Sequence, residues 1–259
     1  MKHRILLTIL SLSLPLFVCC RQTAAVADTE PLEAVERSCV LSPTEDAGKE
    51  YVDSILFFGE STTAHMVSRG VLSGGAETKQ VLRTPSGTVN LGMDTPHVRV
   101  IQPYTGELVS LYDAVRAIKP RYLLLTFGLN GAVQNAAAGE ERYAYVYTSL
   151  IQNMKEASPN TVILLQSCPP VAISMDMSHY SVSAAELNQR LRTINTWIER
   201  ISQSTGTSFL NSAEVLTDEN GYLYEDYQNG DGYHLSVRGY EVMLRYIRTH
   251  AHPLQEAHG

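Results

Sequence analysis

Ile55-Leu56-Phe57-Phe58 is apolar at every position, stops at Gly59, and gives way from Ser61 to an amphipathic pattern of helical period. A strand without polar alternation is covered on both faces, as in a sheet sandwiched between helices. A strand, a tight turn and a helix start therefore fall between Phe58 and Thr62. In an α/β protein this junction lies at the carboxyl end of a strand, the edge at which doubly wound sheets bind ligands. The local sequence admits two readings of Ser61. It caps the helix, or it exposes its hydroxyl to the crevice beside the N–H groups of a helix N-terminus.

The same rhythm recurs downstream. Residues 51–58 read as the first strand, and a helix over 62–69 ends at Gly70. Residues 71–96 are rich in Gly, Thr and Ser and read as a long irregular insertion containing at most a hairpin. A second strand is expected over 98–101. A helix follows, carrying Leu108, Leu111, Tyr112, Val115 and Ile118 at helical spacing and closed by Lys119-Pro120. Residues 122–127 form a third, doubly buried strand that runs into Gly128-Leu129-Asn130-Gly131. A helix over 140–157, a fourth strand over 161–166, a helix over 184–204 and a short strand over 208–210 come next. Ser236 reads as the N-cap of a final helix over 237–250. Five strands alternating with helices predict a parallel sheet with helices on both faces.

Length and composition bound the rest. Apolar residues make up 44% and charged residues 18% of 259, enough for one α/β domain with a sizeable core. We expect that domain over 51–252, a linker or N-terminal arm over 28–50, and a tail over 253–259. Lys2, His3 and Arg4, an apolar run over 5–18, and Ala25-Val26-Ala27 have the form of an export signal over 1–27. The run is too short to make a comfortable membrane span. Cys19-Cys20 offers a lipoprotein signal as an alternative end, so the chain is expected to be secreted or held at the cell envelope. Residues 1–27 carry Lys2, Arg4 and Arg21 and no acid, leaving 17 basic against 27 acidic residues, a charge of −10. That balance argues against nucleic acid as a partner. A membrane is expected to be reached only through a lipid anchor. Cys39 and Cys168 have no spacing pattern and are expected to be free thiols, although export permits a disulfide. No Cys/His spacing suggests zinc. His250, His252 and His258 read as solvated residues of the tail, and His65, His97 and His179 as structural or solvated.

Four features fall at predicted carboxyl ends or in the loop after the last strand. They are Gly59-Glu60-Ser61, Thr105-Gly106, Gly128-Leu129-Asn130, and Asp231-Gly232-Tyr233-His234. A doubly wound sheet gathers such positions along one edge. Together they supply what acyl transfer from an ester needs: a hydroxyl to attack, an imidazole to move its proton, and a carboxylate to orient the imidazole. Backbone N–H groups and an amide can steady the oxyanion. Plainer readings exist. Asn130 satisfies turn backbone, and Tyr222, Tyr224, Tyr227 and Tyr233 pack a loop rather than stack on a sugar.

Over about residues 53–250 this pattern resembles the SGNH (GDSL-type) hydrolases. The resemblance implies a flavodoxin-like three-layer α/β/α sandwich with a five-stranded parallel sheet. The family's Gly-Asp-Ser block is matched by Gly59-Glu60-Ser61, which implies Ser61 as nucleophile. Its Gly-x-Asn-Asp block is matched by Gly128-Leu129-Asn130-Gly131, which implies Asn130 in the oxyanion hole with the Ser61 N–H. Its Asp-x-x-His block is complete as Asp231 and His234. Gly106 is assigned as the oxyanion glycine, with Gly87 and Gly92 as rivals. Glu60 and Gly131 depart from the family's two Asp residues. The implied activity is hydrolysis of an acetyl or other short acyl ester, with no cofactor, and export favours a carbohydrate ester. The alternatives are transfer of the acyl group to a cell-envelope glycan, and a polysaccharide-binding protein without turnover.

Overall fold

Residues 38–92 and 95–253 are described in this computed structural model, and strands and helices alternate along them. In chain order they are α1 (Gly48–Asp53), β1 (Ile55–Gly59), α2 (Ser61–Ser68), β2 (Val81–Leu82), β3 (Arg99–Ile101), β4 (Leu108–Ser110), α3 (Leu111–Ile118), β5 (Tyr122–Thr126) and α4 (Ala132–Ala138). There follow α5 (Glu140–Ala157), β6 (Val162–Gln166), α6 (Ala184–Thr205), β7 (Ser208–Leu210), α7 (Ala213–Leu216) and α8 (Val237–Thr249). The main sheet has the order β2-β1-β5-β6-β7, with every pairing parallel. This is the doubly wound, flavodoxin-like order.

Alternate residues of each strand enter different cores, as the two-residue period of a strand requires. Ile55, Phe57, Tyr122, Leu124 and Leu164 face a layer holding Tyr51, Met66, Tyr240 and Ile247, so α1, α2 and α8 cover that side. Leu56, Phe58, Leu123, Leu125 and Leu165 meet Leu111, Tyr147, Ile151, Leu191 and Ile198 of α3, α5 and α6. Each such buried side chain is worth about 1.5–3 kcal/mol relative to exposure. The expected three-layer sandwich is therefore present. The helix ends follow local chemistry. Ser183 and Glu186 form a capping box at the start of α6, and Gly206 closes it at φ 62°. Among the described residues no helix is long and apolar enough to cross a membrane.

Several expectations need correction. The fifth strand of the sheet is β2, inside the segment read as an irregular insertion. Two residues are too few to show a period. Residues 98–101 do not join the main sheet, because β3 pairs antiparallel with β4 in a separate hairpin. The helix expected from Leu108 begins only at Leu111, capped by Ser110. The strand expected over 51–58 begins at Ile55, because Tyr51 and Val52 belong to α1 and are buried there. Of the two readings of residues 28–50, linker or arm, the described part is an arm laid on the domain. Val40 bridges Phe209 in parallel, and the Leu41 N–H donates to the Phe209 carbonyl at 2.8 Å. His250 is buried and stacks on Tyr246 at 3.7 Å, and the His252 N–H donates to Tyr51 Oη, so neither is a solvated tail residue. Cys39 and Cys168 are free thiols, as expected. The signal reading of residues 1–27, with its Cys19/Cys20 alternative, lies outside the described residues, as do His258 and most of the tail.

Gly59 pairs with Thr126 of β5 at the end of β1, where there is no room for a side chain. A Cβ there would lie 2.4 Å from the Thr126 carbonyl oxygen and 2.5 Å from Thr63 Oγ1. Overpacking against backbone forces strands apart, so Gly59→Ala is expected to cost about 2–3 kcal/mol, read as a lower midpoint in urea unfolding at unchanged slope.

Candidate active site

Ser61 is the first residue of α2, where the chain turns out of β1. Glu60 occupies the cap position in extended conformation, so Ser61 is not the cap. Its hydroxyl instead meets His234, with Ser61 Oγ 2.8 Å from His234 Nε2. The other ring nitrogen, Nδ1, lies 2.7 Å from Asp231 Oδ2. Burial pushes the Asp231 carboxyl up, but the N–H groups of His234 and Tyr233 and the imidazole together outweigh it and hold it below the ordinary range. An ionised carboxylate only accepts, so Nδ1–H is the donor and Nε2 is left to accept from Ser61.

The turn that presents His234 is self-organised. Asp231 Oδ1 accepts from the Tyr233 N–H at 3.0 Å and the His234 N–H at 2.9 Å, while Oδ2 holds the ring. Gly232 sits at φ 85°, and a Cβ there would lie 2.5 Å from Met175 Cα. Two rings pack on the imidazole: Tyr233 at 4.1 Å and His65 at 4.2 Å between centroids. Burial, and then His234 and Arg69, lower the pKa of His65, which favours its neutral form. The sequence alone presents His65 as structural or solvated. Its position four residues after Ser61, on the same helix face, was the available signal.

Glu60 joins this turn to the one after β5. Its carboxylate accepts from the N–H groups of Gly128, Leu129 and Asn130 at 2.9, 3.1 and 2.9 Å. Burial raises its pKa from 4.5 to about 7, against the pull of those three donors. The Asn130 N–H is thereby tied to the side chain of the residue before Ser61. Asn130 Nδ2 donates to Thr88 Oγ1 at 3.1 Å and to the Val89 carbonyl at 3.4 Å. The loop after β2 is thus the segment that meets Asn130, and it carries Gly87 and Gly92.

Gly106 is not brought to the site. It lies in the turn of the β3–β4 hairpin, with its N–H donated to the Gln102 carbonyl at 2.8 Å. Arg83 pairs antiparallel with Ile101, so the chain beyond Ile101 runs opposite to β2 and away from the edge holding Ser61 and Asn130. Its assignment rested on a helix following strand 98–101 in the main sheet, and that strand is not there. Of the four tyrosines, Tyr233 lines a cleft of about 470 Å³ that opens beside Asn130. Tyr224 and Tyr227 pack together at 5.1 Å, with Arg238 over Tyr227, and serve the loop.

This arrangement can pass a proton from a serine hydroxyl to an imidazole backed by a carboxylate. Residues 57–242 match the model of the GDSL-like lipase/acylhydrolase family. No curated protein matches the chain. A GDSL-like lipase from Bacteroides thetaiotaomicron is similar in structure, at 17% identity and TM-score 0.51, over 78% of this chain and 89% of that one. A DUF4886 family protein from Bacteroides uniformis matches at 13% identity and TM-score 0.50, over 78% and 86%. A family 3 carbohydrate esterase of Clostridium thermocellum matches at 14% and 0.47, over 75% and 93%. At such identities the first two likenesses speak to fold alone.

The Glu60 environment has a consequence for stability. Between pH 4.5 and about 7 the folded chain holds a proton on Glu60 that the unfolded chain has released. The folded state therefore binds more protons in that window, and its stability falls as pH rises through it, by at most about 3 kcal/mol. Glu60→Gln removes the titration. Urea unfolding of both proteins at pH 5 and pH 8 should show the wild-type advantage over Glu60→Gln shrinking as pH rises.

Proposed function

Because the chain belongs to the GDSL-like lipase/acylhydrolase family, we propose that it is a serine esterase that removes short acyl groups, such as acetyl, from carbohydrate. The unbroken line of hydrogen bonds from Ser61 through His234 to Asp231 carries this reading. Ser61 Oγ attacks the ester carbonyl as its proton passes to His234 Nε2. Asp231, held ionised, stabilises the imidazolium. The carbonyl oxygen gains negative charge and is met by the Ser61 N–H and the Asn130 amide, which gives up its long bond to Val89 to do so. Collapse expels the alcohol, which takes the proton from Nε2 and leaves an acyl-serine. Water, deprotonated by the same nitrogen, then releases the acid and restores Ser61.

The polar lining of the cleft beside Asn130 supports a sugar as the alcohol, and the export expected from the sequence of residues 1–27 agrees with that reading. Export to the medium or the envelope is part of the proposal.

Hydrolysis of p-nitrophenyl acetate by the chain lacking residues 1–27 tests it. Ser61→Ala is expected to lower kcat/KM by at least about 10³-fold with its unfolding midpoint retained. Asn130→Ala should lower kcat about 10²-fold and leave KM nearly unmoved, as loss of a donor used only in the transition state requires. Equal rates in the parent and Ser61→Ala would refute the serine mechanism.

A further inference from the structure

The cleft beside Asn130 is not used by the steps above. We propose that it binds the alcohol half of the ester, and that this half is an uncharged sugar. The proposal rests on the esterase reading for its place in the reaction, and on the cleft itself for its chemistry.

Position comes first. Asn130 and Tyr233 both line the cleft, and the Tyr233 ring packs at 4.1 Å on His234. His234 is the group that returns a proton to the departing alcohol, so a cleft bordered by its neighbour is placed to hold that alcohol. Its volume of about 470 Å³ lies within the range of small-molecule sites.

The lining decides what fits. Thr88, Asn90 and Gln134 contribute a hydroxyl and two amides. Such groups both donate and accept, as sugar hydroxyls do. Among the described residues no Lys, Arg, Asp or Glu lines the cleft; His179 and Ser181 do. A phosphate or a carboxylated sugar would be expected to meet a cation, commonly a bidentate Arg. A lipid tail would call for a mostly apolar wall. Asp176, on the loop that carries Tyr180, is turned to the Ser178 N–H at 2.9 Å and does not line the cleft.

Tyr180 supplies the remaining element. It is 44% exposed, a large ring that its own chain leaves uncovered at the cleft wall. An aromatic face gains little in water and gains contact when the apolar face of a sugar ring lies on it. Tyr180 and Tyr233 are therefore the stacking surfaces, and Gln134 and Asn90 the groups that read hydroxyls.

Two measurements test this. The first is kcat/KM on O-acetylated neutral xylo-, manno- and gluco-oligosaccharides, on an acetylated uronate oligosaccharide, and on p-nitrophenyl acetate. Tyr180→Ala should lower the ratio of neutral-sugar to p-nitrophenyl acetate efficiency about tenfold, one well-formed contact's worth. Wild type should prefer the neutral sugars to the uronate. An unchanged ratio, or a preference for the uronate, would overturn the proposal. The second is titration calorimetry of the deacetylated neutral oligosaccharides against Ser61→Ala, which reads the cleft without turnover. Binding that weakens at least about fivefold in Ser61→Ala/Tyr180→Ala supports the cleft as a sugar site even if no ester is cleaved, a result that would count against the esterase reading alone. Binding by none of the three sugars would overturn the cleft assignment even if p-nitrophenyl acetate is cleaved.

Discussion

The buried carboxylate of Glu60 takes three successive N–H groups from the turn after β5, and the site is built on that contact. Backbone donors in a turn have no ladder to join and cannot be left bare in a dry interior. A carboxylate offers enough lone pairs to satisfy all three at once. Because Glu60 immediately precedes Ser61, the same contact ties the serine turn to the asparagine turn. The second turn is also held from behind. Tyr143 Oη and Cys168 Sγ both donate to the Phe127 carbonyl, and Gly128, at φ 139°, leaves no room for a side chain against Cys168.

The imidazole is set by a different economy of contacts. One Asp231 side chain both shapes the turn through Oδ1 and holds the ring through Oδ2. Rotation of the ring is opposed by Tyr233 and His65, which pack on it. The separation of serine and histidine is then fixed by helix packing. Tyr240 of α8, fully buried, donates its hydroxyl to the Thr62 carbonyl of α2, so the helix after His234 is pinned to the helix that begins at Ser61. Substitutions at Tyr240 therefore act on the site through distance rather than through chemistry.

What could be read from sequence divides along physical lines. Long apolar runs at 55–58, 122–126 and 162–166 announce strands buried on both faces, and α6 and α8 announce themselves by their caps and period. Ser61, Asp231, His234 and Asn130 stand in short local patterns that the sequence shows, and Ser61, His234 and Asp231 are linked in space. β2 has two residues and no period, so the strand that carries the loop beside Asn130 was hidden in a stretch that reads as irregular. The error at Gly106 followed from that one omission. At Glu60 the resemblance implies altered pinning of the serine and asparagine loops, but not the burial of its carboxylate among their N–H groups. Its partners lie 68 to 70 residues away, and nothing local signals a carboxylate that will be buried among N–H groups.

The central claim is that Ser61 is a nucleophile activated by His234. Labelling with a fluorophosphonate, followed by mass spectrometry of the digested protein, addresses it without any assumption about the natural ester. The account predicts a covalent adduct on Ser61 that forms in the parent and is lost in His234→Ala, since the hydroxyl is inert without its base. A parent protein that stays unlabelled, or that carries the label on another residue, would contradict it.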